Sequence, residues 1–255
     1  GLGFIFIKQG LKATLVRRLI KIMYGFALGG KNSHVIVQNP DDKAVVNSIV
    51  KVPITLIRGS GVDLNQYEYK EENNGNVKVS MACRLLKDKG VFEYIDVVKI
   101  LKQKLPNVEF EIYGDIDIHN PASLTNDDIK KIKEEGFVNV YGFSIDIAKV
   151  FCDSNIVVLP SYREGLPKVL IEAAACGRAV VTTDVPGCRD AIEPNVTGLL
   201  CEVKDIESLA RMIEKLIIDE KLRNRMGYEG RKLAEQEFDI KKKKKKHFDI
   251  YEGRI

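Results

Sequence analysis

From residue 77 onward the chain alternates short β-branched runs with helix-forming stretches, and this alternation constrains its fold more than any other feature. Runs at 77–82, 108–113, 137–141, 156–159, 179–182 and 198–201 read as strands. Stretches at 90–104, 125–135, 145–152, 167–176, 189–192 and 208–218 read as helices. Strands that take turns with helices require right-handed crossovers, and the outcome is a parallel sheet covered on both faces. The expected class is therefore α/β, with ligands bound beyond the carboxyl ends of the strands. Upstream, 34–38 and 54–57 read as strands, 39–42 as a turn and helix cap, and 43–50 as a short helix, half of a second α/β unit. Glycines at 59 and 61 and the polar stretch 71–76 mark a link. The expected division is 1–58, a 59–76 link, 77–238, and a basic tail or crossover helix at 239–255.

One strand-to-helix junction carries the most chemistry. The strand at 156–159 is closed by Pro160 and leads through Ser161-Tyr162-Arg163-Glu164-Gly165-Leu166 to Pro167, which suits the first helical position because its missing N–H costs nothing there. A helix that starts here leaves the amides of Gly165, Leu166 and the residues after Pro167 open, and its dipole adds partial positive charge, so a phosphate fits. Glu164 on the loop and Glu172, about one and a half turns into the helix, share one rim of the same pocket. Carboxylates accept from hydroxyls and repel phosphate, so a ligand with phosphate between two polyols, such as a nucleotide sugar, answers both features. Acids near a helix start are also stabilising whatever the function.

The segment Cys83-Arg84-Leu85-Leu86-Lys87-Asp88-Lys89-Gly90 likewise runs from a strand's carboxyl end into a helix. Arg84 and Lys89 thus join Glu164 on one edge, two cations for one diphosphate, while Lys87 and Asp88 read as surface. Gly114 closes the strand at 108–113 and could let the backbone approach a ligand. Leu64 stands where a dinucleotide fingerprint needs its third glycine, which disfavours a nicotinamide enzyme.

Five cysteines without C-x-x-C pairs argue against a disulfide framework or zinc site, and three scattered histidines supply no metal motif. With 40 basic and 36 acidic residues the net charge is only +4, so nucleic acid is not an expected partner. Residues 9–28 show Leu11, Leu15, Leu19, Ile22 and Phe26 at helical spacing beside Lys8, Lys12, Arg17, Arg18 and Lys21. Such a helix can rest on an anionic membrane from the cytoplasmic side, and a surface helix packed on its own sheet shows the same pattern. The six lysines at 241–246 read as a solvated helix face that would add attraction to anionic lipid.

Glu164 and Glu172 form an E-x7-E pair, and residues 160–167 resemble the bacterial surface-polysaccharide branch of the retaining GT-B glycosyltransferases of family 4. Arg84 to Gly90 is similar to that family's phosphate-binding segment, Gly61-Val62-Asp63 to its passage between lobes, and Tyr141-Gly142-Phe143 to the segment beside the base. The resemblance covers almost the whole chain. It implies a GT-B type, Rossmann-like donor-binding lobe with helices on both faces, plus the remnant of a second Rossmann-like lobe whose upstream part is absent. It also implies transfer of a hexose or N-acetylhexosamine from a UDP-sugar to a polyprenyl-linked glycan, with no metal and no cofactor. Arg84, Lys89 and Glu164 then become the catalytic candidates, the two cations on the diphosphate and Glu164 on the sugar hydroxyls. Gly61, Gly114, Phe143, Gly165, Leu166, Pro167 and Glu172 become the nucleotide contacts, with Glu172 on the ribose diol. With half the cleft absent, the chain alone is expected to bind donor weakly and turn over little. A UDP-N-acetylglucosamine 2-epimerase, which needs no acceptor, and a non-catalytic nucleotide-sugar-binding module stay open.

Overall fold

The computed structural model describes residues 11–30, 32–73 and 75–254. The opening apolar run at 1–7, and Lys8 and Gln9 of the expected basic helix, lie outside them. The first helix, α1 (Leu11–Leu28), is followed by β1 (Val35–Val37), α2 (Pro40–Asn47) and β2 (Ile54–Leu56). β1 and β2 pair in parallel as a small sheet with its own apolar cluster around Val37, Val46 and Val50.

The alternation from residue 77 yields β3 (Lys78–Ala82), α3 (Val91–Lys104), β4 (Glu109–Tyr113), α4 (Asn126–Glu135), β5 (Asn139–Tyr141) and α5 (Ile147–Asp153). It continues through β6 (Ile156–Leu159), α6 (Lys168–Ala175), β7 (Ala179–Thr183), β8 (Gly198–Cys201) and α7 (Ile206–Ile218). Strands β3 to β8 form one sheet in the order β5-β4-β3-β6-β7-β8, every pair parallel. Val79, Met81, Phe110, Ile112, Ile156 and Val181 are buried in it, as the inner strands of a sheet covered on both faces require. The chain builds outward from β3 to β5, then returns to the other side of β3 with β6. The order therefore reverses between β3 and β6, and the crevice at their carboxyl ends is where such sheets take ligands.

Several boundaries differ from expectation for local reasons. α2 begins at Pro40 rather than at residue 43, because Asn39 caps it by accepting from the Asp42 amide and Pro40 takes a first-turn position. Pro167 is the extended cap residue of α6, not its first helical residue. The stretch 220–233, not expected as a helix, is α8 (Glu220–Leu233), which runs through a π turn (Ala234–Phe238) into α9 (Ile240–Tyr251).

In α1 Leu15 is 71% and Phe26 87% exposed, rather than packed on a sheet, while Leu28 packs on the small cluster. Among the described residues no helix is long and apolar enough to cross a membrane. Cys152, Cys176, Cys188 and Cys201 are free and buried, and burial pushes the Cys188 thiol up to about 12.

Candidate functional site

Two loops meet at the switch point. The first leaves β3 and forms the 3-10 turn Lys87–Lys89, and the second leaves β6 and occupies residues 160–167. They are fastened to each other. The Asp88 carbonyl accepts from the Tyr162 amide (2.9 Å) and lies 3.1 Å from Ser161 Oγ, so Asp88 is part of the junction rather than a surface residue. Ser161 Oγ donates to Glu164 Oε1 (2.8 Å), and Lys89 Nζ forms an ion pair with the same carboxylate. Lys89 and Glu164, 75 residues apart in sequence, are both largely buried and share one point of the crevice.

Arg84 leaves the same strand end but is exposed and pairs with Asp117 at 3.3 Å. Glu172 lies in the second turn of α6, buried, with Lys168 Nζ at 3.2 Å. Tyr67 faces it: burial, then the charge and hydrogen bond of Glu172, push that phenol well above its ordinary range. No direct contact joins Glu172 or Arg84 to the Lys89–Glu164 pair among the described residues. Glu164 precedes the start of α6 and Glu172 lies within that helix. Pro167 offers no side-chain cap, and no protein acceptor faces the amides of Gly165, Leu166, Lys168 or Val169 among the described residues.

The remaining candidates are dispersed. Phe143 follows β5 and is 75% exposed, beside a stack of Tyr141 on Tyr113 at 4.9 Å between ring centroids. Gly114 backs onto the Cys83 carbonyl, where a Cβ would stand 1.8 Å from the oxygen, so tight packing between strand ends accounts for this glycine. The Leu166 side chain is buried. Gly61 lies against Ile240 and Lys243 at the start of α9. Among the described residues no group of three or more His, Cys, Asp or Glu side chains is placed to hold a metal ion.

Sequence reasoning missed the residues that hold the second loop from outside. Asn39 donates through Nδ2 to the Gly165 carbonyl (2.7 Å), and Asp42 Oδ1 accepts from Arg163 Nη2 (2.8 Å), so the start of α2 grips the loop from the small sheet. Gly187 lies under Glu164, whose amide donates to the Pro186 carbonyl (3.1 Å). A sequence signal existed only for Asn39, as a helix cap. Its contact with residue 165 is long-range.

Residues 65–233 match the family model described as glycosyl transferases group 1. The chain belongs to this family. The N,N'-diacetylbacillosaminyl-diphospho-undecaprenol alpha-1,3-N-acetylgalactosaminyltransferase of Campylobacter jejuni is 32% identical over 88% of this chain and 61% of that protein. The Escherichia coli UDP-Gal:alpha-D-GlcNAc-diphosphoundecaprenol alpha-1,3-galactosyltransferase is 24% identical over 98% of this chain and 67% of its own length. Sucrose-phosphate synthase from Thermosynechococcus elongatus superimposes with a TM-score of 0.83 at 23% identity, over 99% of this chain and 66% of that one. This glycosyl transferase chain thus spans 61% and 67% of the length of these two relatives, and the structural likeness establishes the GT-B fold.

Proposed function

We propose that the chain supplies the donor-binding side of a retaining, family 4 glycosyltransferase that moves a hexose or N-acetylhexosamine from a UDP-sugar to a lipid-linked glycan. The observation that carries this reading is the switch-point crevice. There a partly buried cation, Lys89, meets a helix start with open amides, and carboxylates at Glu164 and Glu172 stand before and within that helix. A diphosphate leaving the sugar gains negative charge as the bond breaks, and groups fixed in advance around it stabilise that state more than the ground state. Lys89, Arg84 and the α6 amides would do this. Arg84, exposed and paired with Asp117, would swing onto the ligand at small cost, since exposed ion pairs contribute little. Lys89 would exchange part of its pairing with Glu164 for the phosphate, which in turn frees Glu164 oxygens to accept from sugar hydroxyls. Glu172 would accept from the ribose diol.

The names of the two relatives support the substrate classes, one giving UDP-galactose as donor and both a diphospho-undecaprenol-linked acceptor. A lipid-linked acceptor sits at a membrane. The exposed stripe of α1 and the lysines of α9 would make peripheral contact with anionic lipid, which co-sedimentation with and without anionic vesicles would test.

The donor site itself is tested by calorimetry with UDP at low salt. Arg84→Ala and Glu172→Ala should each weaken binding about 10-fold, the low end for a charge-assisted hydrogen bond. If neither substitution changes UDP affinity, the site assignment fails.

A further inference from the structure

The two loops of the switch point are tied by more than Lys89 and Glu164. Tyr162, two residues before Glu164, sends its hydroxyl to Glu93 Oε1 in the first turn of α3, while its amide donates to the Asp88 carbonyl. Lys204 Nζ stands over the Tyr162 ring, 4.5 Å from its centre. Lys204 has a left-handed backbone, φ 62°, which a side-chain-bearing residue adopts only when its surroundings impose it, and it lies in the loop between β8 and α7. Two elements, α3 and the loop after β8, therefore meet at this side chain, while the turn after β3 holds its backbone. Among the described residues Glu93 Oε2 and Asp88 Oδ1 are buried without a hydrogen-bond partner, and the phenol is the donor that reaches the Glu93 carboxylate. Burial, then the hydrogen bond and charge of Glu93, hold that phenol protonated well above its ordinary range.

We infer that Tyr162, braced by Glu93 and Lys204, is a positioning residue that sets where Glu164 stands relative to Lys89, and so determines how much of the binding energy comes from the sugar of a UDP-sugar. This rests on the donor reading above and adds to it. Among the described residues Tyr162 forms no hydrogen bond with the side chains of Lys89 or Arg84. It acts through the two peptide units between its Cα and that of Glu164, fixing the loop from its α3 side as Asp42 and Asn39 fix it from the small sheet. Without the phenol oxygen, Glu93 loses its donor and the loop loses its anchor at residue 162. Glu164 then no longer meets the sugar hydroxyls in register, while the amides of α6, Arg84 and Glu172 still meet UDP.

The test compares, by calorimetry, UDP with whichever of UDP-galactose, UDP-N-acetylglucosamine and UDP-N-acetylgalactosamine the unchanged protein binds most tightly. Tyr162→Phe should weaken the UDP-sugar at least 5-fold and UDP by less than 2-fold. Glu93→Ala should reproduce that split, and Glu93→Gln, which keeps an oxygen for the phenol, should restore most of it. Lys204→Gly relieves the left-handed backbone, so it should fold at least as stably and still weaken the UDP-sugar selectively, which keeps the test valid if the other variants fold poorly. Equal losses for UDP and UDP-sugar, or no loss for either, would overturn the brace. An unchanged protein that binds neither UDP nor any of the three sugars would remove the donor reading beneath it, a result distinct from the other two.

Discussion

At the scale of single residues the crevice depends on backbone contacts as much as on charge. Gly187 has φ 84°, and a Cβ there would stand 2.3 Å from the Glu164 carbonyl oxygen and 2.8 Å from that of Gly165. Neither oxygen can yield, because Gly165 O already accepts from Asn39 and the Glu164 amide is held by Pro186. Gly187→Ala therefore combines a left-handed strain of about 1–3 kcal/mol with a displaced Glu164. The expected outcome is a lower urea midpoint at unchanged slope, together with loss of UDP-sugar affinity, measured on the same protein by denaturation and calorimetry. Ser161 shows the same economy. Buried, with Asp88 O and Glu164 Oε1 as neighbours, it links the cation-bearing turn to the acid.

At the scale of elements, the parts legible in sequence are those whose signal is local. The inner strands β3, β4, β6 and β7 were readable because an inner parallel strand must be apolar on both faces, and α4 because Thr125 caps its start. α8 was not, since it packs on the sheet and α6 partly through Gly227 and Gly230, so its contact face carries no dense apolar stripe. The candidate acids and cations were readable as residues at strand ends. Their partners Asn39, Asp42 and Gly187 were not, because each contact joins segments far apart in the chain. The polar stretch near residue 72 makes the same point. Read as a link, it is fastened to the amino-terminal edge of the sheet: Glu72 meets Arg223 Nε at 2.8 Å and Asn155 Nδ2 at 2.7 Å, and Arg178 donates to the carbonyls of Lys70, Ser154 and Cys176. Among the described residues no carboxylate is bonded to Arg178, and burial lowers its pKa. Removing one partner of a buried pair costs about 3–5 kcal/mol, whereas replacing both by apolar groups can be neutral. Arg223→Met should accordingly destabilise by about that amount, and Arg223→Met with Glu72→Met should recover much of it, a coupling that a urea-denaturation double-mutant cycle measures directly.

For the whole molecule, the decisive contacts are those that join the small sheet to the large one. Val62 donates to the Phe238 carbonyl (2.8 Å) and accepts from the Ile240 amide (3.0 Å), Arg58 donates to the Asp190 carbonyl (2.6 Å), and Asp42 pairs with Arg163. Lys243 lies at this junction. The lysine run is not a uniformly solvated face: Lys243 is only 3% exposed, its ammonium 5.6 Å from the Phe238 ring centre, while its five neighbours face solvent. Arg58 stands over the same ring at 5.2 Å. Burial lowers the Lys243 pKa to about 8, Lys246 and Arg58 push the same way, and Glu237 opposes them. The sign of the consequence follows. The unfolded lysine, near 10.4, holds its proton across the window from about 8 to about 10 in which the folded one has released it. The unfolded state binds more protons there, so stability increases with pH through that window, and the full cost of the buried charge is present below pH 8. Lys243→Met removes the titrating group while keeping an unbranched side chain over Phe238. Thermal unfolding followed from pH 7 to pH 10 should show the variant melting about 2–4 °C above the unchanged protein at pH 7, with the gap closing by pH 10. A gap that stays constant across the range would place the ammonium in water and detach this lysine from the junction. A gap that widens with pH would reverse the sign of the argument.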